Sequence, residues 1–244
     1  MARIKGYGIK GYGQFCPVSR AAEILAARWT PLVVRELLCG STRFNDIQRG
    51  VPLMSSALLS RRLKELEHTG IVDRQPIEGA RGNEYLLTEA GRELSPIIDG
   101  MGFWAQRWVR DDLVWEENLD PNLLMWDVRR NIIAENIPVE RRYVVLFEFR
   151  GAQHNRRRFW LVFDTDGVDL CMRDYGFEVD LVIDAHVKAL VEVWLGHKTI
   201  TQAIRDGQLQ IDGTSRDVRA FAKWFALSTF AEAGRQRPGV PAGR

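Results

Sequence analysis

Residues 55 to 69 carry small, hydroxyl and basic side chains at spacings that a helix would place on one side. At about 100° per residue, five of them share an arc of roughly 140° without an acid, while three leucines face the core. Small polar groups let a helix approach base edges in a DNA groove, and cations neutralise phosphates. The pattern predicts a recognition helix capped by Ser55 or Ser56. Its outer arc consists of Ser56, Ala57, Ser60, Arg61 and Lys64.

The elements around this helix follow the order of a winged helix-turn-helix. Proline, threonine and glycine signals combine with apolar periodicity to define them. The predicted elements are helices at 17–28, 30–40, 44–51 and 56–69, strands at 71–77 and 84–87, and a helix capped by Thr88 that runs to about 109. Thr30 is expected to be the cap of the second helix and Pro31 its first helical residue. Arg43, just before the third helix, is expected to touch a phosphate. Arg81, at the tip between the strands, is expected to enter a minor groove.

The net charge of +2 conceals a strong asymmetry. Residues 1 to 64 hold eleven Lys or Arg against three acidic residues, a charge of +8, and the remaining 180 residues carry −6. Such a distribution favours one surface built for a polyanion on an otherwise acidic body. The alternative is a solvated basic face without a partner.

The chain is expected to be α+β, with two domains and flexible ends. The predicted organisation is an arm at 1–14, a winged helix-turn-helix domain for DNA binding and dimerisation at 15–112, a linker at 113–120, a second α+β domain at 121–233 and a disordered tail at 234–244. In the second domain a helix, four strands, two helices, a strand and a helix follow one another. Asp184 is expected to cap the helix after the fourth strand, and Thr199 with Gln202 has the spacing of a capping box for the next helix. Its sheet is expected to be mostly antiparallel.

Several classes of protein are disfavoured by the composition. No apolar run approaches the roughly 20 residues of a membrane helix, and the glycine-rich N-terminus has no signal-peptide core. Three dispersed cysteines suggest neither disulfides nor a metal site, and no catalytic or cofactor motif occurs. The sequence therefore predicts a cytoplasmic protein that is not an enzyme, holds no metal or cofactor and does not insert into membranes.

The first domain resembles the HxlR-type regulators, which are winged-helix relatives of the MarR group. The segments that carry the resemblance are 16–18 (CPV), 28–30 (RWT), 35–38 (RELL), 43–44 (RF), 59–67 (LSRRLKELE) and 85–91 (YLLTEAG). The resemblance implies a transcriptional regulator, expected to repress, that binds an inverted-repeat operator as a homodimer. Ala57 departs from the pattern, because the family often has a larger polar residue at this position.

The resemblance also points to Cys16, because some members sense oxidants or electrophiles through a cysteine at this position. The alternative is a small packing residue at the dimer seam. Cys39 and Cys171 are expected to be packing residues. A redox-sensing regulator switched through Cys16, with a structural second domain, is therefore the alternative function.

The second domain resembles sterol carrier protein type 2, most closely at residues 196–213. The resemblance implies an apolar tunnel for a small molecule or lipid, which would make this domain the effector sensor. The candidate effector-binding residues are Phe147, Trp160, Leu170, Trp194, Phe221 and Phe225. Aromatic residues at such spacings also form ordinary cores. A lipid carrier or enzyme that uses its winged helix for protein contacts is a further alternative.

Overall fold

The computed structural model describes residues 11–79, 81–133, 135, 137, 141–151, 157–165 and 167–234. Most of the predicted arm and nearly all of the predicted tail lie outside the described residues. The chain divides into two compact units, Met1–Met101 and Gly102–Arg244. Within the described residues, no helix combines the length and the apolar character needed to cross a bilayer.

The first unit is a winged helix-turn-helix. Its elements are α1 (Pro17–Leu25), α2 (Thr30–Leu38), α3 (Phe44–Gly50), α4 (Ser56–His68), β1 (Val72–Pro76), β2 (Asn83–Leu87), α5 (Glu89–Arg92) and α6 (Ser95–Trp108), which continues into the second unit. The two strands pair antiparallel and form the wing. The core of this unit gathers apolar residues of α2, α3, α4, β1 and α6.

Helix α4 begins where the sequence predicts. The Ser55 hydroxyl accepts a hydrogen bond from the amide of Leu58 at 3.3 Å, which satisfies one of the free N–H groups of the first turn. Leu59, Leu63 and Leu66 are buried and face the core. The helix is therefore fixed by its apolar face, and the opposite face is left exposed.

Three predicted helix boundaries in this unit are wrong, and the first of them is the end of α1, which lies at Leu25 and not near Arg28. The cap position of α2 is held by Trp29, with φ of 77°, and Thr30 is the first helical residue. The helix predicted from Thr88 to about residue 109 is broken into α5 and α6. Pro96 lacks the N–H that would bond to the carbonyl of Arg92, so the chain turns before it and starts a new helix.

The second unit is one mixed sheet with helices. Its elements are α7 (Pro121–Arg130), β3 (Tyr143–Arg150), β4 (Arg158–Asp164), β5 (Gly167–Cys171), β6 (Leu181–His186), α8 (Val187–Trp194), α9 (Ile200–Arg205), β7 (Leu209–Gly213) and α10 (Ser215–Trp224). The strand order is β5-β4-β3-β6-β7, with β3 and β6 parallel and the other neighbours antiparallel. The predicted element order and the mostly antiparallel sheet are confirmed.

The larger core of this unit joins one face of the sheet to α7, α8 and α10. A smaller cluster around Val144, Trp160 and Val162 covers part of the other face. The predicted capping box at Thr199 and Gln202 is present. The expected Asp184 cap is wrong, because β6 continues to His186 and Asp184 pairs with Arg150 at 2.6 Å.

The predicted linker at 113–120 overlaps one short 3₁₀ turn, Asp112–Val114, and contains another, Glu116–Asn118. The C-terminal part of α6 packs within the second unit. Phe103 meets Phe230 edge to face at 5.3 Å, and Gln106 hydrogen-bonds to the loop after α8. The division between the two units therefore falls inside α6, ahead of the predicted linker.

Candidate nucleic-acid interface

The outer face of α4 is open to solvent. Ser55, Ser56, Ala57, Arg61 and Lys64 are exposed. Ser60 is half-buried, since it lies next to the apolar face. Three small side chains at the start of the helix leave its backbone accessible, and the two cations follow one and two turns later. This arrangement permits entry into a major groove with flanking phosphate contacts.

One carboxylate ties two arginines of α4 together. Arg61 donates through Nε to Oε1 of Glu65 at 3.0 Å, and its side chain is 70% exposed. Arg62 donates from its guanidinium to the other Glu65 oxygen, and from Nε to the backbone carbonyl of Arg28 at 3.3 Å. Arg62 therefore joins Glu65 to the backbone of the segment before α2. Lys64 makes no ion pair with any residue that the structure describes.

The wing is attached to the segment before α3. The amide of Tyr85 donates to the carbonyl of Thr42 at 2.8 Å, and Arg43 forms a β-bridge with Glu84. Arg43 is exposed, so its side chain is available beside the wing. Arg81 is also exposed, at the turn between β1 and β2. Each predicted DNA-binding residue thus belongs to the helix-turn-helix or to the wing.

The turn that leads into α4 has two features that sequence reasoning missed. Leu53, two residues before the Ser55 cap of α4, is 79% exposed. Gln48 donates from its side-chain amide to the carbonyls of Val51 at 3.2 Å and Met54 at 2.6 Å. The side-chain amide of Gln48 therefore fixes the turn. In the sequence, only Pro52 beside Leu53 indicated that this segment is a turn and not part of the core.

A buried carboxylate fixes how α2 packs on α3. Glu36 is fully buried and accepts hydrogen bonds from Arg35 at 3.0 Å and from the Ser41 hydroxyl at 3.3 Å. A methyl group at Gly50 would lie 1.9 Å from Cδ of Glu36. Glycine is therefore required at this position, because the carboxylate occupies the space of a side chain.

The three cysteines lie in different environments. Cys16 is half-buried and directly precedes α1, and its carbonyl accepts a hydrogen bond from the Ser19 hydroxyl at 2.7 Å. Cys39 is exposed at the end of α2, so its expected packing role is wrong. Cys171 is half-buried against the small cluster of the second unit, where burial and the nearby Asp169 raise the pKa of its thiol.

The candidate effector residues are mostly core residues. Phe147, Trp194, Phe221 and Phe225 are buried together, and the half-buried Leu170 packs against them. Trp160 lies in the small cluster on the opposite face of the sheet, so the six side chains do not surround one space. The indole N–H of the fully buried Trp224, which contacts Phe221, has no acceptor among the described residues.

A groove of about 610 Å³ lies elsewhere in the second unit, at the start of α8. Trp115, Arg150, His186 and Lys188 contribute to its lining, and none of the six candidate effector residues does. Over the described ranges, no group of three or more His, Cys, Asp or Glu side chains is arranged to hold a metal ion.

Comparison with known proteins shows that the first part of the chain is similar to transcriptional regulators of the helix-turn-helix type. The family model described as HxlR-like helix-turn-helix matches residues 24–112. The uncharacterised regulator YvaP of Bacillus subtilis is 43% identical over 98 residues, which are 39% of this chain and 91% of YvaP. The regulator YodB of the same organism is 37% identical over 105 residues, or 42% of this chain and 94% of YodB.

A crystal structure of quinone-bound YodB matches with 36% identity and a TM-score of 0.33, over 38% of this chain and 98% of that one. The relatives are named as transcriptional regulators and not as enzymes. The matched region contains α2 to α6, and hence the recognition helix and the wing. The chain therefore belongs to the HxlR-like helix-turn-helix family of DNA-binding transcriptional regulators.

Proposed function

We propose that this regulator represses transcription by binding an inverted-repeat operator as a homodimer. The observation that carries the proposal is the outer face of α4, where small side chains precede Arg61 and Lys64 and no acid is exposed between them. In this arrangement α4 enters the major groove through Ser55, Ser56, Ala57 and Ser60. Arg43, Arg61 and Lys64 contact phosphates, and Arg81 reaches the adjacent minor groove.

The dimer is proposed from an apolar stripe along α6. Ile97, Met101, Trp104 and Trp108 recur at intervals of four, three and four residues, and each is between 37 and 58% exposed. Such a stripe on one helix face favours pairing with an equivalent helix. Two copies related by a twofold axis would then present two recognition helices to the two half-sites.

A selection experiment tests both parts of this proposal. Duplexes enriched by the full chain from a random-sequence library are expected to contain an inverted repeat, and light scattering is expected to show a dimer. Met101→Glu places a charge in the stripe and is expected to give monomers that lose most operator affinity. Selected duplexes with direct repeats or single sites would contradict binding as a twofold dimer. Selected duplexes without any common sequence would contradict DNA recognition by α4.

For the second unit we propose a sterol-carrier-like domain that senses an apolar effector. Its support is the order of elements, with helices against one face of a mixed sheet, and the indole N–H of Trp224, which finds no acceptor among the described residues of an aromatic core. A buried donor without an acceptor is costly, and an apolar molecule with one acceptor would satisfy it. Phe147, Leu170, Trp194, Phe221 and Phe225 pack together in the structure, so under this proposal they would separate to admit the ligand, with Trp160 on the far side of the sheet.

Mass spectrometry of the purified protein tests the effector proposal. An apolar compound is expected to co-purify with the wild type and to be lost in Trp224→Phe, which keeps an aromatic side chain but removes the donor. Delipidated protein that binds its selected duplex identically with and without the extract would exclude an effector role.

The alternative function, a redox or electrophile switch at Cys16, is supported by the relation to YodB, for which a quinone-bound structure exists. Under this proposal a quinone or mild oxidant releases the wild type from its operator, Cys16→Ser resists release, and the exposed Cys39→Ser behaves like the wild type. Equal release of both variants would exclude Cys16 as the switch.

A further inference from the structure

Glu65 lies on α4 and contacts two arginines of the same helix, Arg61 and Arg62. Its side chain is only 18% exposed, and its two oxygens serve two different arginines. Oε1 accepts from Nε of Arg61, and Oε2 accepts from the guanidinium of Arg62. Since Arg62 also donates to the carbonyl of Arg28, the carboxylate is anchored to the turn between α1 and α2.

The contact with Glu65 occupies one defined edge of the Arg61 guanidinium. Nε is engaged, so the two terminal nitrogens remain free to form a fork with the oxygens of one phosphate. An arginine that is already oriented loses less side-chain entropy on binding than a free one. The oriented Arg61 would therefore bind a phosphate at the matching position of an operator more tightly than the phosphates of unrelated DNA.

We propose that Glu65 is a positioning residue, which holds the Arg61 guanidinium in the direction needed for one operator phosphate and thereby sets the register of α4 on the duplex. The inference deepens the proposed operator binding and rests on it for the role of Arg61. In the complex the Glu65 carboxylate would lie close to the DNA phosphates and would repel them. It therefore lowers binding to every sequence while favouring the correct register.

Three variants separate orientation from charge. Glu65→Gln removes the charge but keeps one acceptor oxygen, whereas Glu65→Leu removes the charge and both acceptors. Glu67→Leu removes an exposed charge from the same helix without touching either arginine. Affinities of the full chain are measured by fluorescence anisotropy for the duplex enriched from the random library and for a scrambled duplex of equal composition.

All three variants are expected to bind the scrambled duplex more tightly than the wild type. Only Glu65→Leu is expected to lower the ratio of operator to scrambled affinity, by about fivefold. Melting temperatures that stay close to the wild type would separate this effect from loss of folding. An unchanged ratio in Glu65→Leu, or equal losses in Glu65→Leu and Glu65→Gln, would overturn the positioning role.

The double variant Arg61→Ala/Glu65→Leu separates this inference from the proposed function. If Glu65 acts through Arg61, the substitution at Glu65 changes the ratio little once Arg61 is absent. If Glu65→Leu lowers the affinity ratio as much without Arg61 as it does with Arg61 present, the inference is overturned. Arg61→Ala with wild-type affinity would instead contradict the operator contact itself.

Discussion

The side-chain amide nitrogen of Gln106 lies 2.7 Å from the carbonyl oxygen of Leu195, and its oxygen lies 3.2 Å from Nε2 of His197. Gln106 is 1% exposed, so both contacts are made away from water. This pair joins the C-terminal part of α6 to the loop after α8 within the second unit.

The first prediction concerns this contact. Gln106→Leu keeps the approximate volume but leaves the Leu195 carbonyl without its donor, and is expected to cost about 1–3 kcal/mol of unfolding free energy. Urea denaturation measures the change. Gln210→Leu on the exposed part of β7 is the matched control and should change stability by less than about 0.5 kcal/mol. Equal effects of the two substitutions would contradict the importance of the buried contact.

The second prediction concerns the packing of α2 on α3. Gly50→Ala brings a methyl group into the Glu36 carboxylate and is expected to destabilise the first unit by about 3 kcal/mol or more. Thermal denaturation measures the loss. In the Glu36→Ala background the same substitution should cost much less, because the obstructing carboxylate is gone. Additive effects of the two changes would show that the conflict lies elsewhere.

The third prediction concerns the salt dependence of DNA binding. Lys64→Ala is expected to reduce the slope of log affinity against log salt by about 1, because one phosphate contact and its released counterion are lost. Titrations at several salt concentrations measure the slope. Arg205→Ala, an exposed cation of α9, is the control of equal charge. A slope that is unchanged in Lys64→Ala would remove Lys64 from the interface.

The fourth prediction concerns alkaline pH. Burial, and then the nearby carboxylates of Asp217 and Asp180, raise the pKa of Tyr143 above its ordinary value of 10.0. The folded state therefore retains this proton when the unfolded state has lost it, so stability falls as pH rises above 10. Tyr143→Phe is expected to reduce this fall. Urea denaturation on both sides of pH 10 measures it, with the exposed Tyr175→Phe as control. An identical fall in wild type and Tyr143→Phe would contradict the prediction.

The elements that local signals determine could be predicted from the sequence. Ser55 before a periodic apolar run defined α4, and Thr199 with Gln202 defined α9. The family of the first unit could also be predicted, because the matching segments are spread along the whole domain, and the family model confirms it.

Features that depend on tertiary packing could not be predicted. Asp184 has the chemistry of a helix cap, but the pairing of β6 with two neighbouring strands keeps it in the sheet. Cys39 lies in an apolar sequence, yet the end of α2 leaves it exposed. The network of Glu65 also requires the carbonyl of Arg28, 34 residues from Arg62, which no local pattern reveals.

The position of α6 has a consequence for how this chain can evolve. Residues 102–112 fall within the segment that matches the family model and also within the second compact unit. Phe103 and Gln106 therefore belong to a helix that the family shares, and they also contact residues of this chain, Phe230 and Leu195, that lie outside the matched segment. We expect substitutions in these eleven residues to be tolerated less in this chain than in relatives that consist mainly of the matched segment. We also expect an exchange of first units between regulators to preserve the second unit only if α6 is kept whole.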